Sequence, residues 1–444
     1  MRRYGAEIAR LSLTTFIGFL QKLLAKAPIF STHYSLDLTM LRLAWSYYRS
    51  TRGNVRIELG DDRTIAESFC QILGSARSLE CTDSRDLVYA FLGHPAAFKQ
   101  YPLDSEPYMW YPRNYYQKRR VIIEPDYTKD TRPLDVYFRV AYTLIEDHGD
   151  GMALLQHIGH NKETIEDQFP SWVPRWNLHE IYGFLTLEPA LSHFPLTPIE
   201  VDFDGNNTSI GLGLKVSLLD TVYFHGQLPP PRTFAMLPMD FAEHPWSLEG
   251  AECYHNPVEG LYKSLLELRS SLPNPRYNDD QSFAAALTAG LTTDDNGEDT
   301  LIEDANCSRH FQDYCAYRHA KAVNIIASGL AADYPADDSG NCDDDEYRKN
   351  VTEGDANRYL TLLQRVVPLR AWYGTYDERL GLGPRITRGG DQVWLIMGSK
   401  TPHVFRPLGD GTFKIFGQAY LHGAMHGSTA LDLTEDSFEY VTLV

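Results

Sequence analysis

Three stretches of this 444-residue chain hold side chains able to do chemistry, and none of them completes a set. From Thr292 to Glu303 an acidic run places Asp294, Asn296, Gly297 and Glu303 at the third, fifth, sixth and twelfth positions of a calcium loop. Thr292 stands where the first carboxylate belongs, and Asp299 where an apolar residue should pair with a sister loop, so the run reads as a solvated loop. His157 and His160, followed by Glu163 and Asp167, have a spacing able to touch a metal, but no helical i, i+4 pair or cysteine supports them. Zinc needs three or four convergent ligands, and a polar loop is the simpler reading. Cys70 and Cys81 with His94 are linked only by nearness in sequence, and a buried thiol usually acts as a small apolar filler. No Gly-x-Ser-x-Gly elbow and no Gly-Lys-Ser/Thr phosphate loop occur, and Gly211 and Gly213 lack the third glycine of a dinucleotide loop. The residues therefore point to no reaction, no cofactor and no metal, and a non-catalytic protein is expected.

Around these stretches the elements are easier to read. Cys81 to Gly93 runs Cys-Thr-Asp-Ser-Arg-Asp-Leu-Val-Tyr-Ala-Phe-Leu-Gly. Asp83 or Ser84 is suited to cap a helix, Leu87, Val88, Ala90, Phe91 and Leu92 to bury it, and Gly93 with Pro95 to stop it. Arg85 and Asp86 are adjacent and point apart on a helix, so they cannot simply neutralise each other. A guanidinium forked onto backbone carbonyls or a distant carboxylate would make Arg85 a pin between two layers.

Leu13, Phe16, Ile17, Leu20, Leu23, Leu24 and Ala27 recur at helical spacing, which favours an amphipathic helix over a signal peptide ending at Ala25-Lys26-Ala27. Helices are also expected over 36–48, 64–79, from Pro133 to Gly149, capped by Thr131 or Asp130 and with Val136, Tyr137, Val140, Ala141, Leu144 and Ile145 as its apolar stripe, and over 261–268, 283–291 and 310–330. Val121–Ile123, Met152–Ile158 and Thr208–Phe224 read as strands, and Pro170 to Trp176 as extended chain, because a residue before proline avoids the helical region. Residues 98–119 and 228–238 read as a loop and a proline-rich connector, and the acidic insertion before His310 as the most mobile part. Short alternating segments at 369–375, 392–398, 403–406, 412–416 and 419–421, separated by glycine-rich turns such as Gly381–Pro384, suggest a small closed antiparallel barrel. The fold class expected is α+β: a helical region over 1–97, a mixed middle region over 98–270, helices with acidic loops over 271–360 and a small antiparallel β module over 361–444.

Net charge is −18, from 41 basic and 59 acidic side chains, which disfavours nucleic acid as a partner. Six cysteines without a Cys-x-x-Cys pair do not make a disulfide scaffold, and no apolar run is long enough to span a membrane. A reducing, cytoplasmic setting follows as the expectation.

Four blocks carry a resemblance. Asp83, Arg85, Asp86, Tyr89 and Gly93 are followed by Pro125-Asp126-Tyr127, then by Pro170-Ser171-Trp172-Val173-Pro174-Arg175-Trp176. Gly381, Gly383, Pro384, Gly390, Asp391, Tyr420, His422, Gly423 and Met425 complete the series. In this order they resemble the region downstream of the HET domain in fungal heterokaryon-incompatibility proteins. The resemblance implies a part in non-self recognition and programmed cell death through contacts with other proteins, among them HET-domain relatives. The HET domain's own Tyr-x-Ala-Leu-Ser-Tyr-x-Trp-Gly block is not in this sequence and would lie upstream of Met1. A rival expectation, an NAD-cleaving TIR-like signalling enzyme, would need that upstream module.

Overall fold

The structure, a computed structural model, describes residues 68–77, 79–98, 121–146, 151–167, 169–178, 200–203, 210–227, 280–294, 297, 299–327, 345–367, 370–399, 401–424 and 433–444. The helices expected over 13–27, 36–48 and 261–268, the loop after Phe98, the 228–238 connector and Gly149 lie outside them. The chain divides into two compact units, 1–154 with 175–179, and 155–174 with 180–444.

In the first unit, α1 (Phe69–Ala76) is shorter than the helix expected over 64–79, starting only after the extended Ser68 and ending before Arg77. Ser68 and Gln71 close a reciprocal capping box at its start, satisfying two backbone donors that have no partner within the helix. Ile72 and Ala76 pack with Leu79, Phe91 and Ala96. The next helix, α2 (Asp86–Tyr89), is much shorter than the apolar run suggested. Neither Asp83 nor Ser84 caps it, because the Asp83 carboxylate is taken by Arg85, whose N–H and Nε both donate to Oδ1 at 3.0 Å. Gly93 is exposed and does not adopt the left-handed conformation, so the helix ends in successive turns instead. Leu87, Val88, Tyr89 and Leu92 are buried as expected, whereas Ala90 is exposed.

Of the expected strand at Val121–Ile123, only a single bridge from Val121 to Phe98 forms. Helix α3 (Pro133–Glu146) starts where proline's missing N–H is harmless. The Thr131 hydroxyl is drawn to Asp126, and Asp135 rather than Thr131 or Asp130 accepts the Arg132 N–H. Its expected stripe, Val136, Tyr137, Val140, Ala141, Leu144 and Ile145, is wholly buried, each large member contributing about 1.5–3 kcal/mol.

Gly151–Leu155 is a helix, α4, where a strand was expected. Met, Ala and Leu are not branched at Cβ and are strong helix formers, and that preference wins over the strand expected for Met152–Ile158. Asn161 and Thr164 cap α5 (Lys162–Glu166). Pro170 to Val173 turns rather than extends, the Val173 N–H donating to the Pro170 carbonyl at 3.3 Å.

The second unit is built on a nine-stranded sheet. Its strands are β1 (Glu200–Phe203), β2 (Ile210–Gln227), β5 (Arg370–Thr375), β6 (Leu380–Pro384), β7 (Gln392–Ile396), β8 (His403–Pro407), β9 (Thr412–Gln418), β10 (Tyr420–Leu421) and β11 (Glu439–Leu443). Between β2 and β5 lie α6 (Asp280–Leu287), the hairpin β3 (Leu291–Thr293) and β4 (Asp299–Leu301), α7 (Asp304–Ala327), α8 (Asp345–Glu353) and α9 (Ala356–Val366). Strand β2 is central: it pairs with β1, β11, β5 and β7. The pairs β2–β11, β11–β9, β9–β8, β8–β7 and β7–β2 return on themselves, while β5, β6 and β10 run outward from the other half of β2. The expected closed, all-antiparallel barrel is thus corrected twice. An open flank extends from the ring, and the β11–β9 pair is parallel.

The Gly381–Pro384 stretch, expected as a turn, is strand β6. Its glycines are there for room: a Cβ on Gly381 would lie 2.4–2.6 Å from the Tyr373 ring, and one on Gly383 would lie 2.8 Å from Thr387 Oγ1. One core joins α6, α7 and α9 to the sheet through Phe283, Tyr314, Tyr359, Leu363, Trp372 and Leu382. A second, lined by Val222, Tyr373, Val393, Val404, Phe416 and Leu421, sits under the strands. The acidic stretch expected as a mobile loop is largely the β3–β4 hairpin, with Thr293 opposite Asp299.

Candidate functional site

In the first unit the first two motif blocks lock together. Arg85 Nη1 donates to the carbonyls of Asp126 at 3.3 Å, Thr128 at 2.9 Å and Thr131 at 3.1 Å, while Nη2 donates to Asp83 Oδ2 at 2.7 Å. This is the pin read from the sequence: one planar fork ties the turn before α2 to the loop before α3. Asp86, on the opposite side, accepts the Tyr127 hydroxyl. Tyr89 donates its hydroxyl to the Asp126 carbonyl at 3.2 Å, and its ring meets that of Tyr127 edge-on at 5.1 Å. The Arg85 guanidinium lies 5.2 Å from the centre of the half-exposed Tyr127 ring. The Thr131 hydroxyl and Thr128 N–H hold the Asp126 carboxyl down to about 2, and the bond to Asp86 pushes the Tyr127 phenol up to about 12. Pro125 is exposed beside this cluster, and Gly93 has no neighbour within 4 Å of where a Cβ would stand.

The third block is equally engaged. Ser171 donates its hydroxyl to the Val444 carbonyl at 2.6 Å and accepts the Ile415 N–H at 3.1 Å, while its own N–H also reaches Val444. His160 contacts the Ser171 carbonyl through Nε2 at 2.7 Å and Thr164 Oγ1 through Nδ1 at 3.2 Å, so its ring spans two protein groups. Trp172, Val173 and Trp176 are buried, as is Pro174. Arg77 stacks 4.8 Å from the Trp176 ring centre, and burial lowers its guanidinium to about 9.

In the sheet, the buried Asp391 carboxylate receives Arg406 Nε at 2.7 Å and Nη2 at 2.9 Å, and the Arg388 N–H at 2.8 Å. Gly390, at φ +87°, makes the turn that brings it there. The Tyr373 hydroxyl donates to the Tyr420 carbonyl at 2.9 Å, and the Tyr420 hydroxyl meets His422 Nδ1 at 3.0 Å. The Pro384 carbonyl accepts from Thr387, and Gly423 lies in the turn that follows β10. Met425 is outside the described residues.

Sequence reasoning missed several of the partners. Arg406 is fifteen residues from Asp391 on another strand, and no local pattern joins them. Two buried histidines were also missed: burial lowers His310 and His403 to about 4. The groups considered for chemistry are not brought together as a metal site: among the described residues no cluster of three or more His, Cys, Asp or Glu is placed to hold an ion. Asp299 of the calcium-like run is paired with Arg365.

Comparison with known proteins agrees with the motifs. Residues 301–441 match the family model described as the Het-6 β-barrel domain. Over 348 residues the chain is 24% identical to heterokaryon incompatibility protein 6, OR allele, of Neurospora crassa, a match covering 72% of this chain and 48% of that protein. Over these residues the chain is similar to fungal heterokaryon-incompatibility proteins. It spans about half the length of the curated relative it matches. No solved structure matches it. Strand β2, on which the sheet is centred, lies upstream of the matched residues. Among the described residues no helix is long and apolar enough to cross a membrane.

Proposed function

We propose that this chain is the non-catalytic body of a heterokaryon-incompatibility-type protein, acting in non-self recognition and programmed cell death through contacts with other proteins. The reading is supported above all by where the motif groups are directed: Arg85 onto three carbonyls, Ser171 onto Val444 and Ile415, Asp391 onto Arg406. Side chains held in fixed bonds to the protein itself build a frame and leave little to bind a substrate. HET-domain relatives are the partners this reading favours, and the cytoplasm is where they would meet.

The test has two arms. Co-precipitation of the full chain with HET-domain relatives from fused, genetically unlike fungal cells is expected, together with altered death of those cells when the chain is deleted. Purified protein incubated with NAD is expected to leave it intact. Steady NAD turnover would overturn the non-catalytic half, and unchanged heterokaryon survival on deletion would overturn the recognition half.

A further inference from the structure

We draw no further inference here: the strongest candidate, the buried cluster of Ser399, Thr401 and His403 at the connection from β7 to β8, rests only on the lowered titration of one histidine, with nothing among the described residues to show what it would bind.

Discussion

Ser171 shows how much one hydroxyl can organise. It donates to the last residue of the chain and accepts from β9, so Ser171→Ala leaves the Ile415 N–H buried without its acceptor. A loss of about 1–3 kcal/mol in unfolding free energy is expected in urea titration. At this scale the sequence was informative about need but silent about partner. Arg85 in an apolar helix start demanded a fork, and the fork exists. Nothing near Asp391, Ser171 or Tyr373 in sequence pointed to Arg406, Val444 or Tyr420, because each partner arrives from another strand or from the far end of the chain. The expected cap at Asp83 failed for a related reason: a charged neighbour competed for the same carboxylate and won.

At the scale of elements, periodicity served helices better than strands. The α3 stripe was legible to the residue because six apolar positions at helical spacing leave little choice of face. Strand β6 was hidden because its two glycines resemble a turn until the Tyr373 ring lies across them. Gly381→Ala should therefore destabilise by about 1–3 kcal/mol, with part of the loss recovered when Tyr373→Leu removes the ring; thermal melts of the single and double variants compare them. Strand β2 was legible as a strand, but its place at the centre of the sheet was not, since pairing partners 140 or more residues away leave no local signal. Residues 301–441 expressed alone lack both β2 and α6, which leaves β5, β7 and β11 each short of one of their two neighbours. That fragment is expected to aggregate, and a well-dispersed heteronuclear NMR spectrum would count against the central role of β2.

For the whole molecule, acid should act on the two units in sequence. His310 and His403, both in the second unit, have folded values lowered by burial to about 4 from an unfolded 6.5. Above pH 6.5 they are neutral folded or unfolded and contribute nothing to the pH dependence. Below it the unfolded chain gains protons that the folded one refuses, so stability falls as pH drops from about 6.5 to about 4, by roughly 1.4 kcal/mol per pH unit for each histidine. Asp126, in the first unit, is held down to about 2, so its contribution is present above the unfolded value of 3.8 and lost only as pH falls below it. Urea unfolding at pH 7, 5 and 3 should show the second unit weakening first, and His403→Asn should flatten its pH slope.

The motif side chains make the frame, and Asp391 is the most buried of the charged ones. Replacing it with alanine leaves Arg406 and the Arg388 N–H without their shared acceptor. The direct measurement is the unfolding free energy of Asp391→Ala against the unaltered chain, followed by tryptophan fluorescence in urea. The frame predicts a loss of about 3 kcal/mol. Stability unchanged within about 0.5 kcal/mol, with heterokaryon behaviour nonetheless abolished, would contradict it and make Asp391 part of a working site instead.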